Sequence, residues 1–129
     1  MFYLKQKLVI SKTTNTVFQF ESNVECLSNI IQKDNKHYLS IKLLDNPNIL
    51  QDFDLFCAQN FQNYVYTVKN NCMFTKLPFR YKRFNIHFEN LKTSECFQTG
   101  KKFKCRLQFG GFIEKENVVN SCFKIIQIS

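Results

Sequence analysis

Polar and apolar residues alternate with a period of two along most of this chain, and no other feature of the sequence restricts its fold as strongly. The clearest case is the segment 102–109, in which Phe, Cys and Leu alternate with Lys, Arg and Gln. Successive side chains of a β-strand point to opposite faces of its sheet, so this period is typical of strands with one buried face. Segments with this period, or rich in aromatic and β-branched residues, are 2–10, 17–20, 24–31, 37–43, 62–69, 79–88, 102–109 and 122–128. We therefore predict seven or eight short strands.

One segment near the middle of the chain has a helical pattern instead. Asn48 suits a helix N-cap, and apolar residues such as Leu50 and Phe53 follow it three or four residues apart. This spacing predicts a helix over 48–59 whose apolar stripe packs on the core.

The connections between the predicted strands contain turn-forming residues. Asp34 and Asn35 favour a turn over 33–36 that joins two strands in a hairpin, and Gly110–Gly111 permits a bend or bulge. The sequence has no long linker and no repeat. Together these features predict one all-β domain over 1–129, with one helix, that closes into a compact β-barrel.

Positive charge is concentrated in the second half of the chain. The net charge is +8, from 18 basic and 10 acidic residues. Residues 1–68 contain six of each kind, whereas residues 69–129 contain twelve basic and four acidic residues and all three arginines. Such an asymmetric field is expected of a protein that binds a polyanion, although charge can also serve solubility alone.

The segment 79–84 interleaves aromatic and cationic residues, in the order Phe79-Arg80-Tyr81-Lys82-Arg83-Phe84. This mixture suits a single-stranded nucleic acid, because cations contact phosphates and aromatic rings stack on bases. As one continuous strand, the segment would place Phe79, Tyr81 and Arg83 on one face and the other three residues on the opposite face. Its first five residues are candidate binding residues. An edge strand protected by charge is the structural alternative.

Two further sets of residues extend the candidate interface. Tyr64 and Tyr66 are two residues apart and therefore share one face of a strand, where they could stack on bases. A structural pair in the core or at the rim of the barrel is the alternative. The second set is a row of positive charge that could follow a phosphate backbone, formed by Lys101, Lys102, Lys104 and Arg106.

Catalytic and metal-binding motifs are not found in the sequence. It contains no GxSxG, P-loop or HExxH motif, and its carboxylates are dispersed. The six cysteines form no CxxC pair, and the two histidines stand alone, so the close ligand pairs of a structural zinc site are missing. We expect no enzymatic activity, no metal and no cofactor.

The cysteine content also indicates the compartment. Most of the cysteines lie among apolar neighbours, where they act as small buried hydrophobic residues, and we expect all six to be free thiols in a reducing environment. The chain has no apolar run long enough for a membrane helix and no basic-then-apolar leader. We therefore expect an intracellular, cytoplasmic protein.

A barrel with an interposed helix, a positive groove and exposed aromatic residues describes an OB-fold. In its length and in the segments 100–107 and 123–128, the chain resembles the small single-stranded DNA-binding proteins of self-replicating DNA elements. These elements include phages with protein-primed linear genomes and the cytoplasmic linear plasmids of yeasts. The resemblance implies a protein that protects or organises single strands during DNA replication.

The expected ligand is therefore single-stranded DNA bound without strong sequence preference. The same expectation extends to single-stranded RNA. No feature of the sequence indicates recognition of the 2′-hydroxyl group, which distinguishes RNA from DNA. Assembly into a homo-oligomer is left open. The alternative to nucleic-acid binding is a viral or plasmid structural domain that binds another protein through exposed Phe and Tyr side chains.

Overall fold

The computed structural model describes residues 1–45, 47–90 and 92–129, and most of them lie in β-strands. The strands are β1 (Phe2–Lys5), β2 (Leu8–Ser11), β3 (Thr16–Val17), β4 (Gln19–Cys26), β5 (Ile31–Lys33), β6 (Lys36–Leu43), β7 (Tyr64–Val65), β8 (Cys72–Leu77), β9 (Phe79–Arg80), β10 (Arg83–Phe84), β11 (His87–Phe88), β12 (Lys102–Lys115) and β13 (Val118–Ile128). One α-helix, α1 (Asn48–Asn60), and a 3-10 helix (Ser94–Cys96) complete the elements of these residues. The predicted all-β class with one helix is confirmed.

The described residues form thirteen strands, more than the seven or eight predicted, because turns divide some of the predicted strands. Gln6 has a φ of 58° between β1 and β2, and Tyr81 and Lys82 have positive φ angles between β9 and β10. The predicted strand 62–69 forms only as β7, and β8 was not predicted. The hairpin with its turn at 33–36 is confirmed as β5 and β6.

Five of the strands form a partly closed ring. β6 pairs antiparallel with β4 and with β8, and β12 pairs antiparallel with β4 and with β13. β8 and β13 run parallel and meet at Lys76 and Lys124, which joins the two ends of the sheet. The order around the ring is therefore β4, β6, β8, β13 and β12. The predicted bulge is confirmed by a register shift between Phe109 and Gly111.

The core of the molecule is rich in phenylalanine, and α1 packs against it. The ring of Phe53 lies 4.9 Å from that of Phe18 and 5.2 Å from that of Phe123, measured between centroids. The helix extends one residue beyond the predicted 48–59. Its N-cap is Pro47, with no side-chain capping bond, so the predicted capping role of Asn48 is wrong.

A buried carboxylate ties α1 to the chain that follows it. Asp54 on α1 accepts hydrogen bonds from the backbone N–H of Thr67 at 3.1 Å, from its hydroxyl at 2.8 Å and from the hydroxyl of Tyr64 at 2.6 Å. A buried charge is costly unless it is hydrogen-bonded, and these donors meet that need. The network fixes the segment around β7 against the helix.

The cysteines are free thiols, and those in the interior are poor nucleophiles. Burial raises the pKa of the Cys26 thiol to about 11 and that of the Cys57 thiol to about 12. Because only the thiolate is nucleophilic, these two groups are protonated and unreactive near neutral pH.

Candidate nucleic-acid interface

The segment 79–84 is a β-hairpin, and the predicted continuous strand is wrong. β9 and β10 pair antiparallel, with Arg80 opposite Arg83 and Phe79 opposite Phe84. Residues directly opposite each other in such a pair share a face. The two phenylalanines therefore lie on one face and the two arginines on the other, because the turn at 81–82 reverses the chain where the prediction continued the alternation.

The phenylalanine face anchors the hairpin to the rest of the molecule. The ring centroid of Phe79 lies 4.3 Å from that of His37 at the start of β6, and the centroid of Phe84 lies 5.6 Å from that of Phe97, which is buried. Phe84 also contacts Phe79 itself at 5.1 Å. These contacts fix the base of the hairpin at the end of the ring where β6 begins.

The arginine face and the tip of the hairpin are open to solvent. Tyr81 is 84% exposed, and the guanidinium carbon of Arg80 lies 5.9 Å from the centre of its ring, within the range of a cation–π contact. Among the described residues, no carboxylate oxygen lies within 4.0 Å of the charged nitrogens of Arg80, Lys82 or Arg83. These three cations are therefore available to phosphate groups.

The turn at the tip has an unusual composition. Tyr81 and Lys82 have φ angles of 54° and 63°, as in the tight turns in which both central residues are left-handed. The turns at Asp34–Asn35, Asn70–Asn71 and Glu116–Asn117 share these positive φ angles, and each contains the Asn that tolerates them. Tyr and Lys have no such tolerance and incur a cost of about 1–2 kcal/mol per residue. Strained backbone of this kind is concentrated at functional sites.

The two tyrosines predicted as a stacking pair have different surroundings. Tyr64 is half-buried against the core, and its hydroxyl group contacts Asp54, Thr67 and Ser121. Burial, together with the hydrogen bond to Asp54, raises the pKa of the Tyr64 hydroxyl. Tyr66 is 45% exposed, with its ring centroid 5.9 Å from that of Tyr64. These contacts favour the structural alternative for Tyr64, whereas a stacking role for Tyr66 stays a prediction.

The predicted row of positive charge lies on β12 and faces acidic residues on β4. Glu21 forms ion pairs with Lys104, at 3.4 Å, and with Arg106. Lys102 lies opposite Glu25 in the same register, and Lys101 is exposed just before β12. We call the outward side of these two strands the β4–β12 face. Its carboxylates partly neutralise the cations that the sequence places there.

A second surface, which the sequence analysis missed, carries both aromatic and cationic side chains. The rings of Tyr38 on β6 and Phe74 on β8 are stacked, with centroids 5.0 Å apart and planes 19° apart, and Phe74 is 54% exposed. Lys76 lies opposite Tyr38, and Lys124 lies opposite Lys76. We define the β6–β8 face as the outward side chains of Lys36, Tyr38, Phe74, Lys76 and Lys124.

The charges of the β6–β8 face are not neutralised by neighbouring acids. Within the described part of the chain, no carboxylate oxygen lies within 4.0 Å of the amino groups of Lys36, Lys76 or Lys124. Burial raises the pKa of the nearby Cys122 thiol, and the positive charges of Lys76 and Lys36 oppose that shift. Lysines from β6 and β8 therefore converge on β13.

The signal for this surface in the sequence is an inverted alternation. In β8 the polar Thr75 points inward, is 1% exposed and donates a hydrogen bond to the carbonyl of Leu39, while the apolar Phe74 points outward. A search for apolar residues on one face and polar residues on the other passes over such a strand.

Comparisons of the chain with family models, with curated proteins and with solved structures find no match. Over the described ranges, no helix has the length and apolar character needed to cross a membrane. In the same ranges, no group of three or more His, Cys, Asp or Glu side chains is placed to hold a metal ion.

Proposed function

We propose that this protein binds single-stranded DNA without strong sequence preference and protects or organises single strands during DNA replication. The β6–β8 face carries the proposal, because it combines an aromatic stack, in which Phe74 is exposed and Tyr38 half-buried, with lysines that have no carboxylate within 4.0 Å in the described part of the chain. Stacking of a base on an aromatic side chain contributes about 1–3 kcal/mol and tolerates any base, since every base has a π-face. The lysines would hold the phosphates beside those bases.

The order of the strands supports an OB-like barrel as the scaffold. β4, β6 and β8 are consecutive neighbours in the ring, and β12 returns after a long connection to pair with β4. This spatial order is that of a Greek key, with α1 and β7 inserted in the connection from β6 to β8. The OB-fold is a five-stranded, partly open Greek-key barrel. OB-folds bind oligonucleotides on the face of their second and third strands. In this ring those strands are β6 and β8.

The geometry favours a single strand over a duplex as the ligand. In a duplex the faces of the bases are stacked on one another, so Tyr38 and Phe74 would have no base face to contact. A single strand exposes its bases to the aromatic pair and its phosphates to Lys36, Lys76 and Lys124. The arginines of the hairpin, which follows β8 after Pro78 alone, extend this positive surface.

The proposal is tested by fluorescence anisotropy with labelled oligo(dT) of about 16 nucleotides, the upper site size of one OB-fold, and with a blunt duplex of equal length. We expect tighter binding to the single strand at both a low and a high salt concentration. We expect Phe74→Leu, which keeps most of the apolar volume, to weaken that binding by about 1–3 kcal/mol.

The matched control is Leu55→Ala, because Leu55 is an exposed apolar residue on α1, outside the β6–β8 face. It should bind as the wild type does, and circular dichroism should show that both variants are folded. Equal affinity for the single strand and the duplex, or no binding of either, contradicts the proposed function.

A further inference from the structure

The hairpin formed by β9 and β10 stands where the β6–β8 face ends. β8 runs from the exposed Phe74 to Leu77, and the hairpin begins two residues later, at Phe79. Phe79 packs on His37 at the start of β6, on the side of that strand opposite Tyr38. A nucleic-acid strand that follows the face along β8 therefore meets the hairpin at the end of its path.

The hairpin is built as a fixed projection. Its base is held by aromatic contacts to His37 and Phe97. The turn has only two residues, both at positive φ angles, as in the tight two-residue turns of β-hairpins. The ring of Tyr81 projects from this tip with most of its surface in solvent, and the guanidinium group of Arg80 lies against it. One aromatic ring is thus presented on a hairpin that directly follows β8.

The cations around the tip provide contacts for a second phosphate backbone. Arg80 and Arg83 are cross-strand neighbours on one face of the hairpin, and Lys82 lies at the turn between them. A single strand already has phosphate partners on the β6–β8 face. Two strands that diverge from the end of a duplex would bring a second backbone to these cations, and the flat terminal base pair would cover the ring of Tyr81 more fully than one base does.

We propose that the β9–β10 hairpin recognises the junction between single-stranded and duplex DNA, with Tyr81 stacked on the terminal base pair while the single-stranded tail lies on the β6–β8 face. This inference rests on the proposed function. Arg80, Lys82 and Arg83 contact the phosphates at the point where the two strands separate. The strained Tyr-Lys turn holds the ring in this position.

The test compares four labelled DNA ligands in anisotropy titrations. They are a single strand, a blunt hairpin duplex, and the same duplex carrying that single strand as a tail at its 5′ end or at its 3′ end. The wild type should bind one of the tailed duplexes at least about fivefold more tightly than the single strand, as expected for one additional stacked ring. Tyr81→Asn removes the ring but suits the left-handed turn, so it should fold and lose this preference. The affinity lost in this variant should be at least about fivefold larger for the preferred tailed duplex than for the single strand, which corresponds to one stacked ring.

Tyr81→Phe retains the ring and should retain the preference for the junction. The inference is overturned if the wild type binds the single strand and the tailed duplexes equally well, or if Tyr81→Asn weakens binding to the single strand as much as binding to the junction. In both cases the single strand is still bound, so the proposed function stands. Failure to bind any single strand overturns that function together with the inference.

Discussion

Two outward faces of the same ring carry three cations each, and they differ in what surrounds those cations. On the β4–β12 face, Lys104 and Arg106 are paired with Glu21, and Lys102 lies opposite Glu25. On the β6–β8 face, the lysines surround an aromatic stack and have no carboxylate within 4.0 Å in the described part of the chain.

For binding a polyanion, the neighbours of a cation in the sheet matter more than the total number of cations in the sequence. The row at 102–106 is the most regular cationic pattern in the sequence. The neighbouring strand β4 places Glu21 and Glu25 beside these cations. The negative charge of the two carboxylates reduces the positive field of the row, and cross-strand pairs of opposite charge are favourable. The β6–β8 face draws its lysines from three separate segments of the chain, and their net charge remains available to a polyanion.

The largest expected effect comes from neutralising the β6–β8 face. Replacing Lys36, Lys76 and Lys124 by Gln removes up to three phosphate contacts. For single strands, the slope of log affinity against log salt should flatten by about 0.7 per contact, or roughly two units in all. Titrations with oligo(dT) at four or more salt concentrations measure this slope. An unchanged slope would mean that the strand lies elsewhere.

Neutralising the β4–β12 face in the same way should have a smaller effect. Glu21 and Glu25 already offset two of the three charges, so Lys102→Gln, Lys104→Gln and Arg106→Gln together should flatten the slope by at most about 0.7 units. The same salt titrations provide the measurement. A change of two units here, with little change for the variant of the other face, would reverse the comparison between the faces.

The smallest expected effect comes from Glu21→Gln. This change frees Lys104 and Arg106 from their shared carboxylate. Exposed ion pairs of this kind contribute only about 0–1 kcal/mol. Binding to the single strand should therefore strengthen by no more than about fivefold. A hundredfold gain in affinity would show that Glu21 alone accounts for the difference in DNA binding between the two faces.

The parts of the fold that could be predicted are those with regular local patterns. β12 alternates cleanly, and α1 has apolar residues at helical spacing, so both were found from the sequence. β8 was missed because its alternation is inverted. The polar Thr75 is buried and donates a hydrogen bond to the carbonyl of Leu39, while the apolar Phe74 is exposed. The hairpin at 79–84 was missed because Tyr and Lys occupy a turn that usually requires Asn or Gly.

The candidate site was predictable only where its residues are close in sequence. The cations and the aromatic ring of the hairpin lie within one short segment, and the sequence identified them. The β6–β8 face was not found, because Tyr38 and Phe74 are brought together only by the pairing of two strands. Tyr64 was proposed for stacking because the sequence does not reveal its contact with Asp54. That contact depends on where α1 lies in the fold.

The most direct test of this account is to map the bound strand on the protein by NMR. A ¹H–¹⁵N spectrum of the labelled protein, titrated with oligo(dT), reports which backbone amides change their environment on binding. We expect the largest shifts in β6 and β8, around Tyr38, Phe74 and Lys76, with small shifts at Lys102, Lys104 and Arg106. Shifts concentrated on the β4–β12 face, with β6 and β8 unchanged, would mean that the strand binds there instead.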